Sequence, residues 1–139
     1  MPSMDPTPHR QTLDALIASL RPTLHGGVYV FCAVSRERSA LADLDVIATF
    51  SDAEGLTLVL EENIARDHGL EPRFRAAWIT LGVNSDFADV GLTAAVATAL
   101  AQAGIACNVI AAVHHDHLFV PWERGEEALG ILEGLARRR

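Results

Sequence analysis

Apolar and polar positions alternate with a period of two over residues 76–83. In an extended chain, Ile79 and Leu81 fall on one side of this segment, whereas Trp78 and Thr80 fall on the other. The alternation predicts a β-strand with two different faces. The stretch that follows, residues 84–89, is polar and predicts a loop.

The period changes to that of a helix over residues 90–104. Leu92, Val96 and Leu100 recur four residues apart and therefore lie on one face, and Gly104 is typical of a helix end. The rest of the second half predicts strands over 105–113 and 117–120, a polar turn between them at 114–116, and a last helix over 123–137.

The first half of the chain carries similar signals in shorter pieces. Helical spacing of apolar residues predicts a short helix over 12–20, and a run of β-branched and aromatic residues predicts a central strand over 28–34. Residues 35–45 are charged and irregular. The remaining elements are a hairpin of strands 47–50 and 56–61 with a five-residue loop at 51–55, and a helix that begins at Glu61 and Glu62 and ends at Gly69.

Both halves follow the order strand, connector, two-stranded hairpin, helix. This is the ferredoxin-like βαββαβ unit without its final strand. Each half therefore needs one more strand, and two possibilities are open. Either the halves lend each other a strand, or the sheets are completed across a dimer. The predicted fold class is α/β (α+β), with antiparallel sheets.

Composition and charge narrow the choice of partners. Half of the 139 residues are hydrophobic, so the chain is long enough for one domain with a genuine core, or for two closely packed units. With 11 Lys plus Arg against 18 Asp plus Glu, the net charge of −7 disfavours nucleic acid as a partner. No apolar run approaches the roughly 20 residues that span a bilayer, and no signal peptide is recognisable. We expect a cytoplasmic protein that does not bind membranes.

The sequence WITLGVNSDFADVGLTAAVATALAQAGIACNVIAAVHHDHLFV, residues 78–120, resembles an ACT domain, the ferredoxin-like regulatory module of many enzymes of amino-acid metabolism. The stretches YVFCAV, ATFSDAEGLTLVLEE and HDHLFVP extend the likeness to about residues 11–135. Together they resemble stand-alone bacterial proteins with two tandem ACT-like units. Those proteins are similar to the regulatory tail of aspartate kinase and to the cytosolic arginine sensors.

The resemblance implies two ferredoxin-like units, 11–72 and 73–139, each with its helices on one face of the sheet. The proline-rich residues 1–10 are predicted to be disordered. The resemblance also implies a regulatory protein without catalysis, and no G-x-x-x-x-G-K-[ST] phosphate loop is present to indicate a kinase. We expect a homodimer that binds an amino acid or a similar small polar metabolite, needs no cofactor and acts on an enzyme in trans.

In ACT domains the effector lies between paired units, against the loop that joins the first strand to the first helix. In this chain that loop is 84–91. A helix N-terminus there offers unpaired N–H groups to a carboxylate, and the loop's polar side chains suit an ammonium group. Asn108 is a further candidate, because a lone amide in an apolar strand needs partners. The predicted ligand-binding residues are Asn84, Ser85, Asp86, Asp89, Val90, Gly91, Leu92 and Asn108.

Two other interpretations are open. Ser85, Asp86 and Asp89 are also typical of a helix N-cap and first turn, which would leave an interaction module with a vestigial pocket. A cluster of three imidazoles and a carboxylate makes a metal-dependent enzyme the third hypothesis. A tight turn cannot easily aim all four side chains at one ion, so we expect no metal site and a polar turn with local hydrogen bonds. The cluster consists of His114, His115, Asp116 and His117.

Overall fold

The computed structural model describes residues 12–87 and 89–138, so the predicted disorder of residues 1–10 lies outside the described residues. The helices are α1 (Leu13–Ala18), α2 (Glu62–Asp67), α3 (Leu92–Gln102) and α4 (Gly125–Arg137), with 3₁₀ helices at Arg36–Asp43 and Trp122–Arg124. The strands are β1 (Pro22–Leu24), β2 (Tyr29–Val34), β3 (Val46–Asp52), β4 (Gly55–Glu61), β5 (Pro72–Leu81), β6 (Asn108–Ala111) and β7 (Asp116–Pro121).

The strands form one antiparallel sheet in the order β3-β4-β2-β5-β7-β6, and β1 is attached to β5. Strand β5, which is ten residues long, belongs to both halves of the sheet. One of its edges pairs with β2 over residues 72–76 and then with β1 over residues 79–81. Its other edge pairs with β7 over residues 76–80. Three strands therefore share the hydrogen-bonding groups of β5.

Each ferredoxin-like unit is completed by a strand from the other half. The first unit contains β2, β3, β4 and α2, and it takes the beginning of β5 as its fourth strand. The second unit contains β5, α3, β6, β7 and α4, and it takes β1 as its fourth strand. The exchange of strands within one chain, which was one of the two possibilities that the sequence left open, is the arrangement observed.

The helices pack on one face of the sheet, as predicted. In the second unit Ala77, Ile79 and Leu81 of β5 direct their side chains into a core with buried residues of α1, α3 and α4. In the first unit the buried residues of β2 and β4 pack with Ala65 of α2 and Leu70. None of the helices within residues 12–87 and 89–138 is long and apolar enough to cross a bilayer.

We call the opposite surface of the sheet the open face, because the residue cluster on it contains no helix residue. Val59, Ala76 and Phe119 are nevertheless almost completely buried there. Aromatic side chains of neighbouring strands cover them, with the ring of Phe31 5.2 Å from the ring of Phe119. The other apolar residues of this cluster are Phe31, Ala48, Phe74, Trp78 and Ile110.

The hairpin is tighter than the sequence indicated. Asp52 pairs with Gly55, so the turn contains two residues and not five. The side chain of Asp52 accepts a hydrogen bond from the N–H of Glu54 at 2.9 Å, which stabilises the turn. Gly55 has φ +135°, and a Cβ there would lie 2.7 Å from the carbonyl oxygen of Val34. A glycine is therefore required at this position.

Two glycines of α4 allow a test of how closely the helix packs on β5. A Cβ on Gly125 would lie 2.7 Å from the Cβ of Ala77, whereas a Cβ on Gly130 would meet nothing within 4 Å. We expect Gly125→Ala to lower the free energy of unfolding by about 1–3 kcal/mol through overpacking. Gly130→Ala should raise it by about 0.5–1 kcal/mol through helix propensity. Urea unfolding measures both, and equal effects of the two substitutions would contradict this packing.

Candidate functional site

The loop that joins β5 to α3 borders a small cavity at the end of the second unit, which we call the loop cavity. Its volume is about 130 Å³. One wall is the loop with the first turn of α3, and the other comes from the end of β6 and the start of β7. The lining residues are Ser85, Asp86, Phe87, Asp89, Gly91, Leu92, Thr93, Ala111, Ala112 and Asp116.

The N-terminus of α3 has no side-chain cap. Gly91 occupies the N-cap position with φ +100°, and the first turn of the helix contains no acidic residue. The carboxylate of Asp89 accepts a hydrogen bond from the N–H of Asp86 at 2.7 Å and so closes the loop on itself. The interpretation of the loop acids as caps of α3 is therefore wrong. Gly91 therefore brings no capping side chain to the first N–H groups of α3, which lie beside the cavity.

Gly91 is also needed for a reason that the sequence did not show. A Cβ at this position would lie 3.1 Å from a methyl group of Leu13 in α1. The left-handed backbone and this close approach both favour glycine. Gly91 thus fixes the contact between α1 and the entrance of α3, in addition to bordering the cavity.

Asp116 is the site residue that the sequence analysis missed. Its side chain is buried, with 8% of the residue exposed, and it lines the loop cavity opposite the start of α3. Burial raises the pKa of the Asp116 carboxyl, and the nearby His117 and His115 act in the opposite direction. The signal was available: Asp116 alternates with Leu118 and Val120, and this alternation places it on the buried face of the strand.

The predicted site residues do not all come together. Ser85, Asp86, Asp89, Gly91 and Leu92 line the loop cavity, whereas Asn84 and Val90 do not. Both of the latter are exposed.

Asn108 was expected to be a buried amide, and this expectation is wrong. It lies opposite Phe119 on β6, which is an edge strand, and its side chain is exposed on the open face. Among the described strands, β6 has a neighbour on one side only, so Asn108 lies at the edge of the sheet. Asn108 borders a different cavity from the one that the loop borders.

Three exposed apolar residues line the loop cavity or follow its lining residues along the chain. Phe87 is 69% exposed, Val90 80% and Val113 70%. Phe87 lines the cavity itself, and the other two follow lining residues closely along the chain. We call these three residues the apolar rim. Exposed apolar groups of this kind, next to a polar cavity, are typical of a surface that contacts another chain.

The histidine-rich turn does not behave as a unit. His114 is exposed, Asp116 lines the loop cavity, and His117 lies on the open face. The Nδ1 atom of His117 accepts a hydrogen bond from the indole N–H of Trp78 at 3.1 Å and lies 3.0 Å from the hydroxyl of Thr80. His117 thus makes hydrogen bonds to a neighbouring strand, whereas the turn itself is closed by a local bond, which the N–H of Ala112 donates to the carbonyl oxygen of His115 at 3.2 Å. Over residues 12–87 and 89–138, no group of three or more His, Cys, Asp or Glu side chains is placed to hold a metal ion.

Two protein-family models match the chain, and both are described as ACT domain. The first covers residues 9–77 and the second residues 73–134. The two matches overlap at 73–77, which lies within β5, and the first unit pairs with residues 72–76 of this strand. A search of curated proteins finds no match.

Solved structures share the fold over most of the chain. A Vibrio cholerae protein of unknown function, titled a possible transport protein, is 48% identical with a TM-score of 0.81, and the match covers 89% of this chain and 95% of that one. An Agrobacterium tumefaciens protein is 20% identical with a TM-score of 0.62, over 83% and 87% of the two chains. The ligand-free regulatory subunit of aspartate kinase from Thermus thermophilus is 11% identical with a TM-score of 0.65, over 84% and 97%.

The last two similarities concern the fold alone. The two domain matches in tandem, the shared topology and the Vibrio cholerae relative agree with each other. The chain therefore belongs to the ACT-domain family, as a protein with two tandem ACT domains.

Proposed function

We propose that the protein is a non-catalytic regulator that binds an amino acid in the loop cavity, at a contact between two copies of the chain. ACT domains in general are regulatory modules that bind small molecules. The observation that carries the proposal is the pairing of two opposite charges across one cavity. The uncapped N-terminus of α3 favours an anion, and the buried carboxyl of Asp116 favours a cation.

An α-amino acid carries both charges on one carbon atom. Its carboxylate would accept hydrogen bonds from the first N–H groups of α3, and its ammonium group would lie against Asp116. The ammonium group would also offset the desolvation that raises the pKa of Asp116. Asp86, Asp89 and Ser85 from the loop line the same space and add further acceptors.

The size of the cavity limits which part of the ligand it holds. A volume of about 130 Å³ is close to that of a cavity of about 150 Å³ that holds benzene, a ligand of six heavy atoms. The cavity therefore suits the charged head of an amino acid, and the side chain of the ligand would point outward to the apolar rim. A second copy of the chain that covers the rim would complete the pocket.

We propose three further properties of the protein. The two units are 11–72 and 73–139, joined through β5, and the protein acts in the cytoplasm on an enzyme in trans. The apolar rim also favours a second candidate function, an interaction module whose pocket no longer binds a ligand. A ligand-binding experiment separates the two candidates.

We expect one of the twenty amino acids to raise the melting temperature, because a ligand of the native state stabilises it. Asp116→Asn should weaken the binding of that amino acid by about tenfold or more, as the loss of a charge-assisted hydrogen bond does. Asp67→Asn, an exposed position of α2, is the matched control and should leave the affinity unchanged. Thermal shift followed by calorimetry measures these effects. No shift with any amino acid would favour the interaction module.

The buried carboxyl of Asp116 also predicts a pH dependence of stability. Its pKa is raised in the folded state, so the folded protein binds this proton more tightly than the unfolded chain does. The contribution of Asp116 to stability is therefore lost as the pH rises from about 4 through the folded pKa. His115 and His117 flank the group, and Asp86 and Asp89 face it across the cavity.

Asn cannot ionise, so Asp116→Asn should be more stable than the original protein at pH 7, and this difference should shrink at pH 4. Urea unfolding of both proteins at the two pH values measures it, and titrating groups distant from Asp116 cancel in the comparison. If the variant is less stable than the original protein at pH 7, the surroundings stabilise the ionised carboxylate of Asp116, and the prediction is wrong.

The apolar rim predicts how the copies associate. Val90→Asp places a charge at the centre of the proposed contact and should convert a dimer to monomers, which sedimentation velocity measures. Phe50→Ser is the matched control, because Phe50 is 70% exposed but lies on β3, away from the loop. Both variants should keep the melting temperature of the protein within a few degrees. Dissociation by Phe50→Ser but not by Val90→Asp would place the contact elsewhere.

A further inference from the structure

The open face of the sheet is concave. Three cavities with volumes of 470, 250 and 430 Å³ lie on it. The first two share Ala48 and Ile110 among their lining residues, and the last two share Phe31 and Thr57. They therefore form one continuous depression, which we call the trough.

The middle of the trough is apolar. Ala48 belongs to β3 and Ile110 to β6, the two strands at opposite edges of the sheet, yet both border the same cavities. The sheet must therefore curl so that its edges approach each other across the open face. Phe31 and Val59 form the floor between them. This shape is a groove in which a narrow apolar molecule could contact the floor and both edges.

One end of the trough carries a positive charge. The register between β2 and β5 shifts, because Phe31 pairs with Phe74 but Cys32 pairs with Pro72, and Arg73 is the extra residue of this bulge. Arg73 lines the end cavity together with the amide of Asn108 and the hydroxyl of Thr57.

One acidic residue, Glu71, lies two positions before Arg73, and the pKa of Cys32 in the same cavity is raised by burial and then by the charge of Glu71. In the part of the chain that the structure describes, Arg73 has no ion pair that holds its guanidinium group. Among the lining residues of the three cavities it alone has a side chain with a permanent charge. Arg73 therefore places a positive charge at one end of the trough, on a chain whose net charge is −7. Its planar group is suited to hold a carboxylate by two hydrogen bonds.

The other end of the trough is neutral. Nδ1 of His117 accepts a hydrogen bond from the Trp78 N–H, which can only donate, so this bond assigns the ring proton to Nε2. The hydroxyl of Thr80 lies between Nδ1 of His117 and Nε2 of His25, at 3.0 and 2.7 Å. Burial lowers the pKa of His117, and His115 and His25 lower it further against the effect of Asp116. This end therefore offers no second charge.

We propose that the trough is a second binding site, which takes an apolar molecule with a single terminal carboxylate. The carboxylate binds Arg73 and Asn108, and the hydrocarbon part lies over Phe31 between Ala48 and Ile110. The site is separate from the loop cavity, which is lined by carboxylates and suits a ligand with an ammonium group. A neutral apolar ligand or a second copy of the chain would occupy the same surface without depending on Arg73.

Calorimetric titration with octanoate tests the proposal, and octan-1-ol is the uncharged control ligand. Octanoate should bind, and Arg73→Gln should weaken its binding by about tenfold while leaving octan-1-ol unaffected. Arg66→Gln is the matched control variant, since Arg66 is exposed on α2, and it should change neither affinity. Ala48→Phe fills the middle of the trough and should abolish the binding of both ligands.

Failure of octanoate to bind, or equal affinity in the original protein and Arg73→Gln, would overturn the proposal. Loss of octanoate binding in Asp116→Asn, with Arg73→Gln unaffected, would place the acid in the loop cavity instead. A dimer that Ala48→Phe or Phe50→Ser dissociates would show that a second copy fills the trough. Arg73 is exposed, so Arg73→Gln decides the question even if Ala48→Phe does not fold.

Discussion

The structure depends on the sharing of β5 by both ACT units. This strand hydrogen-bonds to β2 and β1 along one edge and to β7 along the other, so neither unit has a complete sheet without it. A backbone N–H or C=O that loses its partner in a buried strand costs free energy, and the middle of β5 is buried. The two units therefore cannot separate without exposing unpaired groups. The overlap of the two family matches at residues 73–77 is the sequence counterpart of this sharing.

The position of both proposed sites follows from this strand. The loop cavity lies where β5 ends and α3 begins, so the strand fixes one wall, and β7, its hydrogen-bonded neighbour, contributes Asp116 to the other. Because side chains alternate along β5, the side chain of Ile79 points toward the helices and that of Trp78 toward the open face. Because the described helices lie on one side, none of them contributes to the aromatic cluster of the open face, and the bulge in β5 adds Arg73 to this face. One strand thus separates an acidic cavity from an apolar trough.

Much of this arrangement is predictable from the sequence. The features that are not predictable depend on contacts between distant parts of the chain or on elements too short to show a period. The alternation in β5 and the i, i+4 repeat of α3 identify those elements because each is long enough to show a period. Strand β1 has three residues and shows none. The exposure of Asn108 depends on which strands lie at the edge of the sheet, and no local pattern reports that. Asp116 did alternate with buried apolar residues, but the adjacent histidines favoured a polar turn. The bulge that adds Arg73 to the open face depends on pairing between distant strands.

The central claim is that β5 joins the two units into one cooperative fold. Native-state hydrogen exchange of backbone amides measures this most directly, because it reports the free energy of opening at each strand. We expect the core amides of β2 in the first unit and of β7 in the second to exchange with the same free energy, equal to that of global unfolding. Exchange of β2 and β4 at a free energy several kcal/mol lower, with β5 and β7 still protected, would contradict it.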